Sequence, residues 1–381
     1  MHLGGLAMGL TRYKIGSLIT PIDERNDLGI RNFYGINIDK EFMPTIANTE
    51  GLDESKYKIV RQNRFVFSGM QTGRDNCIRI SIYTDDLPIL VSPAYTTFEI
   101  LETDTVLPIY FFMCFLSDEM DRYGSFCSDG SIRSNLDWNV FCDIEIDLPP
   151  IDIQQKYVDV YSAMLANQQN YERGLDDLKL TCDATVENLK KKYPVRAFCK
   201  YIKRVDVRNR DNLYKNVKNV SVYKQFGDVS SKVDRNNLSN YKIVMPREIS
   251  FVQTTHNEKV FCNAMNNTNE PIVVTSVNEV FKCDETNILP EYLCLNFNRS
   301  EFDRYARFHS WGSARETFTW TDLLEVKIPI PPIEEQKYIV NIFKVLQKRK
   351  LIAEKLKNQI KDLCPILIKG SIEEALKSKE V

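Results

Sequence analysis

Pro149-Pro150-Ile151-Asp152-Ile153-Gln154 returns 182 residues later as Pro331-Pro332-Ile333-Glu334-Glu335-Gln336. Asp121-Arg122-Tyr123 returns as Asp303-Arg304-Tyr305, and Trp138 as Trp320, at the same offset of 182. Further upstream the match drifts by only a residue or two. Tyr57-Lys58-Ile59-Val60 becomes Tyr241-Lys242-Ile243-Val244, and Asp23-Glu24-Arg25-Asn26 becomes Asp206-Val207-Arg208-Asn209. A repeat this long is a whole domain and not a solenoid module, so the chain carries a duplicated domain. Two copies suit a ligand that must be held at two places.

Each Pro-Pro pair presets φ for a first helical turn, and Asp152, Glu334 and Glu335 set negative charge at its N-terminal dipole. From there Tyr157, Tyr161, Met164, Gln168, Tyr171, Leu175, Leu178, Cys182, Thr185 and Leu189 recur at alternating spacings of four and three. Ile339, Ile342, Leu346, Arg349, Ala353, Leu356, Ile360, Leu363 and Leu367 do the same in the second copy. Such a stripe predicts two long helices that pair as a coiled coil, antiparallel, with the globular copies at opposite ends and a pseudo-two-fold axis between them. A helix running unbroken from Ile151 to Lys192 would be roughly 60 Å long. Pro194 stops it, and Pro365 is expected to kink or end its counterpart.

In the first globular part, Tyr57 to Phe67 and Leu87 to Leu101 read as strands, rich in β-branched and aromatic residues between turn signals. Leu107 to Tyr123 reads as a helix capped by Asp104, followed by a Gly- and Ser-rich loop and a strand near Phe141 to Asp147. The second copy repeats the order, with strands near Tyr241 to Phe251 and Ile272 to Lys282, a helix near Leu289 to Arg307 and a strand near Leu324 to Ile330. The expected fold is α+β: two duplicated globular domains, residues 1–147 and 194–329, separated by spacer helices in 148–193 and 330–381.

At 381 residues the chain can bury two or three cores. Its longest apolar run, Val106 to Leu116, is too short to span a bilayer, and no basic segment leads an apolar core at the N-terminus. The ten cysteines stand singly, without metal-ligand spacing, as reduced thiols of a cytoplasmic protein would. His2, His256 and His309 lie too far apart in sequence to suggest a metal site. Net charge is −2, yet between Lys190 and Lys224 twelve Lys or Arg face only Asp206 and Asp211. In a duplicated protein that block is a candidate phosphate-contacting surface, with Lys203, Arg204, Arg208 and Arg210 at its centre.

Leu148-Pro149-Pro150-Ile151-Asp152-Ile153-Gln154-Gln155 and Ile330-Pro331-Pro332-Ile333-Glu334-Glu335-Gln336-Lys337 resemble the openings of the two central helices of Type I restriction-modification specificity (S) subunits. Phe65-Val66-Phe67-Ser68-Gly69-Met70-Gln71-Thr72-Gly73-Arg74 also resembles a stretch of many target-recognition domains. Phe251-Val252-Gln253-Thr254-Thr255-His256 in the second copy lacks the Gly-x-Arg portion. The resemblance spans nearly the whole chain. It implies that each globular domain binds one half of an asymmetric, bipartite site on double-stranded DNA. It implies too that the helices act as a ruler and dock methyltransferase (M) subunits, two of them, and that restriction (R) subunits can join. Adenine methylation with S-adenosylmethionine, and cleavage with ATP and Mg, then belong to those partners, and this chain needs no cofactor.

The residues themselves carry no phosphate-binding Gly-rich loop and no dinucleotide fingerprint. Ile151 and Ile333 follow the Pro-Pro pairs, which therefore open helices and are not the methyltransferase Asp/Asn-Pro-Pro-Tyr motif. Gly130-Ser131-Ile132-Arg133 before Trp138 repeats as Gly312-Ser313-Ala314-Arg315 before Trp320. Arg133 and Arg315 can each fork onto guanine or phosphate, or else brace the loop; both readings stand, while the tryptophans read as core. Gln71, Thr72 and Arg74, with Thr254, Thr255 and Asn257 at the equivalent place, have the amide, hydroxyl and guanidinium chemistry that base edges accept. The rival reading is a duplicated scaffold that joins proteins through its helices without touching DNA. A specificity subunit of a related two-subunit restriction system differs only in its partners.

Overall fold

The computed structural model describes residues 9–46, 49–229, 233–254, 260–311 and 316–377. Its contacts divide the chain into two units, residues 1–170 with 352–381, and residues 171–351.

In the first unit, Ile19–Ile22, Thr96–Ile100, Phe65–Ser68 and Arg79–Ile82 form an antiparallel sheet in that order. Phe42–Pro44, Phe33–Ile36, Ile89–Val91 and Lys58–Val60 form a second sheet with one parallel pair. Thr11–Lys14 pairs with Glu145–Leu148. The helices are α1 (Thr72–Asp75), α2 (Pro108–Met113), α3 (Asp118–Phe126), α4 (Trp138–Asp143) and α5 (Ile151–Glu172). The core is aromatic: Phe65 stacks on Phe98 at 4.9 Å and Phe67 on Phe141 at 4.4 Å.

The second unit repeats the main sheet as Ile202–Val205, Asn278–Cys283, Ile249–Val252 and Asn263–Met265. Its helices are α6 (Leu175–Lys192), α7 (Pro290–Phe297), α8 (Ser300–Phe308), α9 (Trp320–Leu324) and α10 (Ile333–Lys377), the last of which also supplies residues 352–377 to the first unit. The duplicated α+β fold with long helices is thus present as expected.

Several element boundaries differ from the sequence reading. Leu107 to Tyr123 is two helices, because Pro108 starts α2 and the Ser117 hydroxyl, accepting from Met120 N–H at 3.1 Å, starts α3. Asp104 caps neither. Phe141 lies in α4, not in a strand, because Asp137 accepts from Asn139 N–H at 2.8 Å and opens a helical turn. Ile151 to Lys192 is not one helix. Gly174 adopts φ +77°, a left-handed value that ends α5. The carbonyls left open there are taken by Arg349, which donates to Tyr171 O at 3.3 Å and Arg173 O at 3.1 Å. A charged residue on the apolar stripe is therefore a helix cap. Pro365 does not end α10, because Ile360, Cys364, Ser371 and Ala375 on either side of it are buried and hold both flanks.

Within each unit the long helices run antiparallel. In the first, Lys156 Nζ meets Glu374 at 2.8 Å and the Tyr157 hydroxyl meets it at 3.1 Å, while Val158, Tyr161, Ile360 and Cys364 share one core with the globular part. In the second, Lys192 Nζ meets Glu335 at 2.6 Å at one end and Tyr171 meets Arg349 at the other. Leu189, Ile339 and Leu346 are buried there, and Leu175, Leu178 and Ile342 pack beside them. Met164 also packs against the first core, and Leu356 is half-buried. Leu363 is exposed, and Cys364 takes its place. A helix that serves both a partner helix and a globular core needs a broader apolar face than a coiled-coil seam.

Gln154 and Gln336 explain the repeated helix openings. Each is fully buried. Gln154 accepts from Leu107 N–H at 3.0 Å and donates to Thr105 O at 3.0 Å and Pro149 O at 2.8 Å. Gln336 repeats this with Leu289 N–H at 2.9 Å, Asn287 O at 2.8 Å and Pro331 O at 2.9 Å. One amide joins the start of the long helix to the start of the domain helix, satisfying backbone groups that burial would otherwise orphan.

Candidate nucleic-acid interface

The strand Phe65–Ser68 leads into a turn built by α1, with Gln71 at φ +59° and Asn76 at φ +48°. The loop 129–136 folds against it. Leu136 N–H donates to Gly69 O at 2.8 Å, Gly73 N–H to Ser134 O at 3.0 Å, and Gln71 N–H to Asn135 Oδ1 at 3.0 Å. Glycine is needed at two of these positions. A Cβ on Gly69 would lie 1.9 Å from Leu136 O, and one on Gly73 would lie 2.0 Å from Ser134 Oγ. Two segments some sixty residues apart thus form one surface, a juxtaposition that spacing alone does not reveal.

Asp129 organises the loop by accepting from Ser131 Oγ at 2.6 Å, Ser131 N–H at 3.1 Å and Asn135 N–H at 3.0 Å. The Ser131 hydroxyl, then the backbone donors, hold its carboxyl below the usual range. Ser131 is therefore engaged in the turn. Arg133 is exposed and has no hydrogen bond or ion pair among the described residues, so it does not brace the loop. Thr72 is fully buried and donates to Gly69 O at 3.1 Å, which removes it from the residues that can meet a base. Arg74 stays exposed, held by Gln71 Oε1 at 2.9 Å and Asp75 at 3.2 Å. Beside it Ser68, Gln71, Arg79, Ser92 and Tyr95 line a cleft of about 190 Å³. The buried Nε of Arg79 has no hydrogen-bond partner among the described residues.

The second copy docks its loop at the same place, since Phe318 N–H donates to Gln253 O at 2.8 Å and Thr254 bridges Thr317. Thr255, Asn257, Ser313 and Arg315 lie outside the described residues.

The basic block reads differently once its partners are visible. Arg204 forks onto the buried Glu279 at 2.7 and 2.6 Å and lies over Trp320, so two of its donors are committed to covering that carboxylate although the side chain is half exposed. Glu279 in turn pushes its guanidinium pKa up. Arg208 donates to Asn240 O at 2.9 Å and pairs with Asp206 at 3.0 Å. Arg25 does the same in the first copy, with Lys56 O and Asp23. The repeated Asp-x-Arg-Asn is thus a loop brace. Lys190, Lys192, Lys218 and Lys224 pair with Glu187, Glu335, Asp228 and Asp303. Three of those acids lie beyond the window and Glu187 lies just before it, so together with Glu279 they offset about half of the local charge excess. Lys203 and Arg210 remain exposed without such partners among the described residues.

Among the described residues no group of three or more His, Cys, Asp or Glu is placed to hold a metal ion, and no helix is long and apolar enough to cross a membrane.

Residues 199–362 match the family model of the Type I restriction modification DNA specificity domain. The fold resembles the crystal structure of a Type I restriction-modification system S subunit from M. genitalium, with a TM-score of 0.62, 10% identity, and 97% of this chain and 98% of that chain covered. A structure solved for complex assembly and conformational transition of the Type I R-M system also matches, with a TM-score of 0.40, 14% identity and coverage of 97% and 98%. The HsdS subunit from Thermoanaerobacter tengcongensis matches with a TM-score of 0.34, 15% identity and coverage of 96% and 97%. No curated protein sequence matches the chain.

Proposed function

We propose, from the match of residues 199–362 to that family model, that the chain is a Type I restriction-modification specificity subunit, the non-catalytic subunit that reads a bipartite DNA site. Each globular domain, within residues 1–147 and 194–329, takes one half-site, and the two halves differ because the reading loops differ. The helices in 148–193 and 330–381 set the spacing and dock methyltransferase subunits, two per chain. Those partners bring S-adenosylmethionine and methylate adenine, and restriction subunits add ATP- and Mg-dependent cleavage. The complex works in the cytoplasm.

The observation that carries this reading is the composite surface of α1 and the loop 129–136. It presents Arg74 and the unpaired Arg133, while neighbouring polar side chains are spent on holding the turn. A preorganised guanidinium on a rigid, Gly-dependent turn is what bidentate reading of a guanine edge requires. A scaffold that only joins proteins gives such a loop no task.

Modified-base sequencing of cells that express the chain with its neighbouring methyltransferase tests this. One bipartite motif, absent when the chain is deleted, is expected. Methylation unchanged by the deletion, or methyl transfer by the purified chain alone, overturns it.

A further inference from the structure

The repeated Asp-Arg-Tyr leads to a feature that the reading loops do not use. Phe126, in the last turn of α3, is 84% exposed, and Phe308, 182 positions later in the last turn of α8, is 83% exposed. A phenylalanine bared to this extent works against solubility, and here it occurs at the same place in two otherwise divergent copies. One helical turn earlier, on the same face, stand Arg122 and Arg304. Both are exposed, and neither has a hydrogen bond or ion pair among the described residues.

This contrasts with the basic block, where half of the cations are paired with acids. The segment after each phenylalanine carries another exposed apolar side chain, Ile132 at 100% and Trp311 at 76%. The position is fixed relative to the reading surface. Ser125 Oγ donates to Gly73 O at 3.2 Å and to Asn76 Oδ1 at 2.9 Å, binding the end of α3 to α1. Ser128 and Ser310 close the two helix ends alike, donating to Gly124 O at 2.9 Å and Ala306 O at 2.7 Å.

An apolar wedge flanked by unneutralised arginine, beside a base-reading loop, fits a duplex better than a protein surface. Arginine neutralises phosphate, and an aromatic ring replaces the stacking that a base loses when a step opens. Resting on the proposed DNA-reading role, we propose that Phe126 and Phe308 each enter a base step beside one half-site, while Arg122 and Arg304 hold the adjoining phosphates. The base step is thereby unstacked at two fixed places, one per domain.

The test uses the full chain on a duplex that carries its methylated motif, with 2-aminopurine placed at successive positions in and beside each half-site. Wild type should brighten the probe at one step per half-site. Phe126→Ala should abolish one signal and Phe308→Ala the other, each weakening binding about tenfold, with the ranking of half-site bases unchanged. Phe126→Leu, still an apolar wedge, should keep most of its signal. An unchanged signal in Phe126→Ala, or no bright step in wild type bound to its motif, overturns the wedge. So does loss of methyltransferase-subunit binding with DNA binding intact, which would make the patch a protein-docking face. A wild-type chain that prefers no duplex at all, alone or with those subunits, would instead sink the DNA-reading role itself.

Discussion

Lys224 Nζ lies 2.8 Å from Asp303 Oδ1, with the lysine side chain buried and its backbone at φ +60°. The first copy repeats this with Lys40, at φ +62°, 2.6 Å from Asp121. Each aspartate also accepts a backbone N–H, from Phe261 or Ile78 at 2.9 Å, and each lysine donates to a backbone carbonyl. The pair fastens a surface turn to the first turns of α8 or α3, the helix that ends in the exposed phenylalanine. The Asp of the repeated Asp-Arg-Tyr is therefore structural.

Breaking one half of this pair should be worse than removing both. Asp303→Asn leaves a buried ammonium without its counter-charge and should cost about 3–5 kcal/mol. Lys224→Met with Asp303→Leu should recover much of that loss. Urea unfolding of the singles and the double checks it; a double variant no better than the worse single counts against the ion pair as the cause.

Gln336→Glu should destabilise more than Gln336→Ala. The carboxylate keeps the acceptor for Leu289 N–H but loses both donors and faces the carbonyls of Asn287 and Pro331. Each orphaned buried group costs about 1–3 kcal/mol. Thermal unfolding ranks the two variants.

Glu187 is held at about pKa 2, against an ordinary 4.5, first by Lys190 and then by Arg299. A folded-state pKa below the unfolded one adds stability above about 4.5 that is lost as pH falls toward 2. The Glu187 side chain is 43% exposed, so solvent screening keeps the contribution modest. Glu187→Gln should therefore flatten the loss of stability between pH 5 and pH 3. Unfolding midpoints of equal pH slope in wild type and variant would contradict this.

Arg133 and Arg204 should part company. Arg133→Ala should leave unfolding unchanged and relax one base pair of one half-site by about 1–3 kcal/mol. Arg204→Ala uncovers the buried Glu279, leaving it the Gln253 amide at 2.6 Å and Lys242 at 3.5 Å, and should lower stability with no change in base ranking. Binding to a panel of single-base variants, beside chemical unfolding, separates the two.

The repeat, the helix openings and the apolar stripes were legible in the sequence because hydrophobic periodicity and Pro-Pro punctuation are local signals. The same locality explains the errors. The charge count from Lys190 to Lys224 missed Glu279, Asp303 and Glu335, which reach it only through the fold. Arg349 looked like a seam residue because its targets are backbone carbonyls, which leave no trace in composition. Lys40 and Lys224 form ion pairs some eighty residues away in sequence, and no short-range pattern marks them. The reading surface is the sharpest case. Sequence determined which residues have the chemistry that base edges accept; only tertiary packing of α1 against the loop 129–136 decided that Thr72 is buried while Arg74 and Arg133 are exposed, because burial is a property of what folds over a residue and not of its neighbours in the chain.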